Sequence, residues 1–538
     1  MEEIFEFANV VGGLPPEFLS SVDAKDAAAG VALMRRVLEA PDQYRGKPPP
    51  GFSSIVRDEL AQRLAGWVEL YDARATEALE RVSPKSIASF APFLGAVSRL
   101  RGAPDPQQVP LRRWGWIAAV GGGGTRPLAG IKDFVQAAQD WRNLSTLRGF
   151  LSSFEGTNLE RLTSMDHELL LGSKIRIGWG SAGVAREIAS LRPSEIPGEA
   201  LEQLLAHIEH VGESPAWFYG AAAPVPELAR PLARDMSVLP GEYAGSRFSR
   251  LNSSREAALR PFIDLGDQLV PANLEATLRI HLPVLALARR GLQPHESADL
   301  MEQVCARLLQ RTPGLTVHHG DLTLRVSPTN EGELDVVAID RTATKVIDLE
   351  VKAHYEGDTI PTTPKLHSRG VEAVAEQIAL RQEAFESGVP VCLDGAPLAL
   401  RKEADFLGLA VTLHDYSGLI WKAEPKSPGK AVNIITIGDL AVITTVLKDD
   451  AELIAYLELR TAYIASGRSY VCDEIDFLAH FLLYGPKQLR SEISQVPEDG
   501  RLMVPARDIL PALAAVMQVP APGIGRAVIA TLPEVGIF

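Results

Sequence analysis

The stretch GELDVVAIDRTATKVIDLEVKAH, residues 332–354, carries five acids and two lysines, among them Asp335, Asp348, Glu350 and Lys352. Two apolar, β-branched runs flank the polar Arg341-Thr342-Ala343-Thr344, and each run carries acids where a buried strand would be apolar. In an extended chain, residues two apart share a face. Asp348, Glu350 and Lys352 therefore project one way, and Ile347, Leu349, Val351 and Ala353 the other. In the first run Asp335 shares its face with Val337 and Ile339. Paired as a hairpin, the two runs bring Asp335 towards Glu350. Two carboxylates in a half-buried sheet repel each other and lose hydration. A divalent cation relieves both penalties, because acidic oxygens, a backbone carbonyl, waters and a substrate phosphate form a hard-cation donor set. Lys352 beside them could assist proton transfer to a water or stabilise charge on a phosphate. A purely structural alternative fits the same residues. A strand alternating apolar and charged side chains is also what a half-exposed antiparallel strand looks like, and Asp335 with Lys352 could be a cross-strand ion pair.

Other residues offer weaker chemistry. Gly121 to Gly124 suggest a phosphate loop, but Thr125-Arg126-Pro127 follow in place of Lys-Ser/Thr, so the run reads as a flexible hinge or loop. His207 and His210 lie three apart on an amphipathic helical stretch, without the further ligands that zinc needs. Trp114 and Trp116 could stack on a base, although two tryptophans two apart also fit the core face of a strand. His318, His319 and His354 read as strand-end or turn residues. Neither a Gly-x-Ser-x-Gly elbow nor a His-Glu-x-x-His signature is present.

The elements that must position the acidic runs are legible from period and punctuation. Before residue 290 the pattern is mostly helical: 57–82 and 199–213 have apolar residues at helical spacing, and Pro/Gly clusters at 44–54 and 101–110 break the chain. After residue 290 the pattern changes. A helix is expected over 295–311, then short strands LTVHH and DLTLRV separated by a Gly-Asp turn, then the two acidic strands. A polar loop (354–368), a helix (370–387) and strands over 406–413 and 431–437 follow, with helix again beyond Leu447.

In this order and setting the residues resemble the PD-(D/E)XK nuclease superfamily, the restriction-endonuclease-like fold. Its pattern is a helix bearing an acid, a strand with Asp, a strand with Asp/Glu-x-Lys and a second helix. GELDVVAID matches the Asp strand, VIDLEVKAH the Glu-x-Lys strand, DLMEQVCARLLQ the first helix and AVAEQIALRQ the second, while VNIITIGDLAVI resembles the family's late strand running into a helix. Leu334 stands where the motif's proline would be. The resemblance covers about residues 290–447 and implies metal-dependent hydrolysis of phosphodiester bonds. Asp335, Glu350 and the Val351 carbonyl would hold Mg²⁺ or Mn²⁺. Lys352 would orient a water or neutralise the phosphate. Glu302 would help position a metal or water, with Glu296 on the same helix as the other choice. Gln377 would hold water, phosphate or Lys352. Lys365 and Arg369 flank the start of the second helix, where a phosphate could also use free N–H groups. The resemblance also implies a nucleic-acid partner, DNA ahead of RNA, a homodimer as one arrangement for cutting two strands, and a role in defence against foreign DNA, restriction or repair. The alternative is a catalytically inactive nuclease-fold scaffold that binds nucleic acid or protein.

The expected architecture is multidomain, α plus α/β. A helical N-terminal region (1–110) and a mainly helical region (111–289) precede a restriction-endonuclease-like α/β core with a mixed central sheet (290–447) and a helical C-terminal region (448–538). The large helical N-terminal region would recognise a protein partner, a nucleic-acid structure or a second subunit. The chain has 538 residues, 46% of them hydrophobic, a globular composition. Its net charge of −14 argues against nonspecific coating of nucleic acid, which depends on Lys and Arg releasing counterions, but leaves room for one local groove. Cys305, Cys392 and Cys472 are odd in number and far apart, which fits a reducing compartment rather than a disulfide framework. The acidic N-terminal stretch lacks a secretory pattern, and no apolar run is long enough to span a membrane. The expected location is cytoplasmic.

Overall fold

The computed structural model describes residues 15–21, 54–84, 108–126, 130–153, 180–213, 224–266, 269–271, 279–327, 330–353, 373–413, 432–466, 469–471, 474–495 and 502–504. His354, Lys365, Arg369, Cys472 and the 354–368 loop lie outside the described residues, as does the side chain of His210.

The helices are α1 (Pro16–Ser21), α2 (Ser54–Arg81), α3 (Gln108–Gly121), α4 (Ile131–Ser153), α5 (Ser181–Leu191), α6 (Gly198–Glu213), α7 (Arg230–Asp235), α8 (Phe248–Asn252), α9 (Glu256–Leu259), α10 (His281–Ala288), α11 (Pro294–Gln310), α12 (Ala373–Glu386), α13 (Ile437–Val446), α14 (Asp450–Ser466) and α15 (Glu474–Gln495). The strands are β1 (Ser237–Val238), β2 (Phe262–Asp264), β3 (Leu269–Pro271), β4 (Thr316–Ser327), β5 (Asn330–Ile339), β6 (Lys345–Lys352), β7 (Val391–Leu393), β8 (Ala396–Pro397), β9 (Asp405–Thr412), β10 (Asn433–Thr436), β11 (Ser469–Val471) and β12 (Leu502–Val504). Helices and a mixed multi-stranded sheet together make this an α plus α/β protein.

The central sheet has seven strands in the order β10-β9-β6-β5-β4-β7-β8. β4, β5 and β6 form an antiparallel meander, while β6–β9 and β9–β10 run parallel. The parallel pairs follow from the crossovers: α12 lies in the connection from β6 to β9, and a direct hairpin cannot join parallel strands. α12 packs on the face that carries Asp348 and its β9 neighbour Gly408, where a Cβ would meet Ile378 Cγ2 at 2.1 Å. The missing side chain lets helix and sheet approach.

Two segments expected as separate strands, LTVHH and DLTLRV, form the single strand β4. Gly320 and Asp321, both at positive φ, make a bulge within it rather than a turn. The 111–289 region holds a three-stranded sheet, β1-β2-β3, and β11 pairs with β12 in parallel near the C-terminus. These strands are two or three residues long, too short for a period to register. Trp114 and Trp116 are buried core residues on helix α3, not on a strand, and Trp116 Nε1 donates to the Arg260 carbonyl. The glycine run after α3 is a close backbone approach rather than a loose hinge. Gly124 N–H donates to the Val82 carbonyl, and a Cβ on Gly124 would lie 2.0 Å from the Arg81 carbonyl oxygen.

One apolar core draws on residues from Ala182 to Leu489 and includes both α5 and α15. A second joins α2, α3 and α4 to residues 238–270. Among the described residues no helix is long and apolar enough to cross a membrane.

Candidate active site

The β5–β6 hairpin brings the acids together. Its register pairs Val337 with Asp348 and Val336 with Leu349, which sets Asp335 beside Glu350 at the end of the ladder. The ladder stops there, so the Val351 N–H is free to donate to Asp335 Oδ2, at 2.6 Å. On its other side Asp335 faces the β4 bulge. His319 pairs with Val336 and Leu322 with Leu334, so Gly320 and Asp321 together oppose the single Asp335. A bulge re-aims the local chain, and here it flanks Asp335, just past the end of the β5–β6 ladder.

The hairpin tip is fixed at a distance from these acids. Asp340 Oδ1 accepts from the backbone N–H groups of Thr344 and Lys345, both at 2.7 Å. Arg341 pairs with Asp450 at the start of α14. These bonds hold the strand register on which the Asp335–Glu350 encounter depends.

Glu350 is buried and held by two cations. Lys352 Nζ lies 2.6 Å from Oε1, and Arg381 Nη1 lies 2.7 Å from Oε2. Arg381, from α12, also donates through Nε to Asp348 Oδ2 at 2.7 Å. Asp348 is fully buried and Arg381 nearly so. The alternation expected of Asp348, Glu350 and Lys352 thus holds, with Arg381 tying the first two together.

The charge states follow. Burial, and next the neighbouring Glu350 charge, push the Asp335 carboxyl up to about 7. Burial alone would raise Glu350, but Arg381 and Lys352 outweigh it and hold this carboxyl below its ordinary range. Asp348 is pushed up to about 6 by burial, against the pull of Arg381. Glu302, half-buried on α11, is raised by burial and then by Asp299 and Glu350, so its charge is felt at the site although no hydrogen bond joins it to Asp335 or Glu350. Two neighbouring carboxyl groups pushed to opposite sides of the usual range form an acid–base contrast of the kind used at reactive centres.

Glu296, the other acid on α11, is committed elsewhere. It accepts from the Gln293 N–H at 2.7 Å and completes a capping box at the helix start. Gln377 is exposed on α12, one turn before Arg381, and no hydrogen bond joins it to the acids. The side chain of α12 that reaches them is Arg381. It had a sequence signal: Val374, Ile378 and Arg381 follow helical spacing and all are buried, so an arginine occupies an apolar stripe and needs a buried acid as partner. His207 is buried on α6.

Asp335 and Glu350 supply hard oxygen donors that suit a divalent cation, and Val351 lies between Glu350 and Lys352 on the same strand. The donor set fits such an ion, since the hairpin register sets the two carboxylates side by side and a positive charge there would oppose their repulsion. Among the described residues no three His, Cys, Asp or Glu side chains group closely enough to hold a metal by themselves. No family model, curated protein or solved structure matches the chain.

Proposed function

We propose that the protein is a metal-dependent nuclease of the PD-(D/E)XK type, acting on nucleic acid and on DNA ahead of RNA. The observation that carries the reading is the hairpin register that sets Asp335 beside Glu350, with Lys352 Nζ 2.6 Å from the Glu350 carboxylate. Two acids side by side on neighbouring strands, with a lysine bound to one of them, are side chains suited to phosphodiester hydrolysis. Asp335, Glu350 and the Val351 carbonyl would hold Mg²⁺ or Mn²⁺. That ion supplies Lewis-acid activation of a water and neutralisation of phosphate charge. Lys352, half-exposed beside Glu350, orients the attacking water or takes up charge on the phosphate. Glu302 adds negative potential that favours a cation, and Arg381 fixes the rotamer of Glu350.

A second reading has one observation in its favour. Both oxygens of Glu350 are engaged by cations of the chain itself, as suits an inactive scaffold of the same fold that binds nucleic acid or protein. Incubation with single- and double-stranded DNA and with RNA, in Mg²⁺, Mn²⁺ or EDTA, separates the two. Metal-dependent cutting that Lys352→Ala abolishes, with an unchanged melting curve, supports the enzyme. Cutting retained in Lys352→Ala removes the site, and absence of both cutting and Mn²⁺ binding favours the scaffold.

A further inference from the structure

Arg381 holds two acids by one contact each. Its Nη1 reaches Glu350 Oε2 and its Nε reaches Asp348 Oδ2, both at 2.7 Å. Guanidinium and carboxylate match best in a two-point fork, and the Asp348 pair falls short of that. Asp348 Oδ1 and Arg381 Nη2 are both buried without a hydrogen-bond partner. Unpartnered buried polar atoms are costly. A turn of the guanidinium towards Asp348 would join these two atoms, complete the fork and free Glu350 Oε2. Lys352 would still hold Oε1.

Glu350 and Asp348 differ in what else can reach them. Glu350 has Lys352, a partly exposed side chain, on one oxygen, and it stands next to Asp335 at the strand end. Asp348 lies beneath α12, fully out of contact with solvent. A cation arriving from solution therefore meets Glu350, while only Arg381 can serve Asp348.

We propose that Arg381 is a displaceable internal counter-ion on the Glu350 oxygen that a metal would take, and that Asp348 is the carboxylate that receives it. The proposal rests on the nuclease-site reading, since it needs Glu350 to be a metal ligand. In it Arg381 is a positioning residue. It keeps Glu350 in place before the metal arrives and sets the affinity with which a metal binds.

Mn²⁺ binding to the full chain, read from the loss of the free-ion electron paramagnetic resonance signal without nucleic acid, tests this. Arg381→Gln removes a competing positive charge a few ångströms from the metal, and should tighten Mn²⁺ about ten-fold or more. Asp348→Asn removes the receiver and leaves Arg381 on Glu350, and should weaken Mn²⁺ by roughly three- to ten-fold. A merely structural pair would loosen Glu350 in both variants and weaken binding in both, so shifts of the same sign, or none, overturn the proposal. Where Arg381→Gln fails to fold, Asp348→Asn with Arg381→Gln removes the buried pair together and should bind Mn²⁺ at least as tightly as the parent. Weaker binding by that folded double variant also overturns it. Glu350→Gln separates the two levels. If the parent binds Mn²⁺ no better than Glu350→Gln, the nuclease-site reading fails and takes the inference with it. Glu350-dependent binding with same-sign shifts defeats the inference alone.

Discussion

Asp335 is where position sets charge. Its carboxyl, pushed up to about 7 by burial and by Glu350, stays protonated in the folded chain at pH values where the unfolded chain has released the proton. A raised folded-state value contributes stability that is fully present below the unfolded value, near 3.8, and lost as pH rises through about 7. In EDTA, the parent should therefore lose more stability than Asp335→Asn between pH 5 and pH 8, by on the order of 1–3 kcal/mol. Urea unfolding of both proteins at both pH values measures this, and equal losses would mean that Asp335 carries no raised carboxyl. At this scale the sequence was informative where alternation alone decides direction. Asp348, Glu350 and Lys352 could be read onto one face because a strand has a period of two. The proximity of Asp335 to Glu350 needed only a hairpin. The stripe of Val374 and Ile378 favours Arg381 over Gln377 as the inward side chain, but its partners Asp348 and Glu350 could not be read, because only the packing of α12 on the sheet brings them to it.

Elements were legible in proportion to their length. α6 and α11 each repeat an apolar stripe over several turns, and β6 is long enough to alternate while β9 is apolar over most of its length. The short strands of the smaller sheets carry no such pattern, and the β4 bulge looks like a turn because Gly-Asp favours both. The spacing between α12 and the sheet depends on one residue, Gly408. Its absent Cβ admits Ile378, and it pairs in register with Asp348. Gly408→Val should push α12 outward and destabilise the protein by about 1–3 kcal/mol, the usual cost of overpacking. Because the same displacement carries Arg381 away from Glu350, its Mn²⁺ affinity should move with that of Arg381→Gln. A Gly408→Val variant as stable as the parent in urea would show that the helix is not held at this distance.

For the molecule as a whole, a charge of −14 on 538 residues argues against nonspecific coating of nucleic acid, and composition alone carries that expectation. The extent of the core was not legible, since nothing in local periodicity says which helix faces meet. The resemblance stops at about residues 290 and 447, yet the core that contains β5, β6 and β9 continues through α5 and α10 before it and α14 and α15 after it. Arg460 of α14, buried and paired with Glu474 of α15, also donates to the Ile434 carbonyl of β10 at 2.6 Å. Cutting the chain at 290 and 447 would uncover apolar faces of α11 and α13 and strip β10 of that arginine. The isolated fragment should give a poorly dispersed proton NMR spectrum, whereas residues 54–504, which keep both apolar cores, should give a dispersed one. The acidic hairpin is therefore not a portable cassette. It cannot be shuffled between chains or grafted onto a new recognition module at the ends of its motif, and insertions that re-target it would be tolerated only outside the shared core.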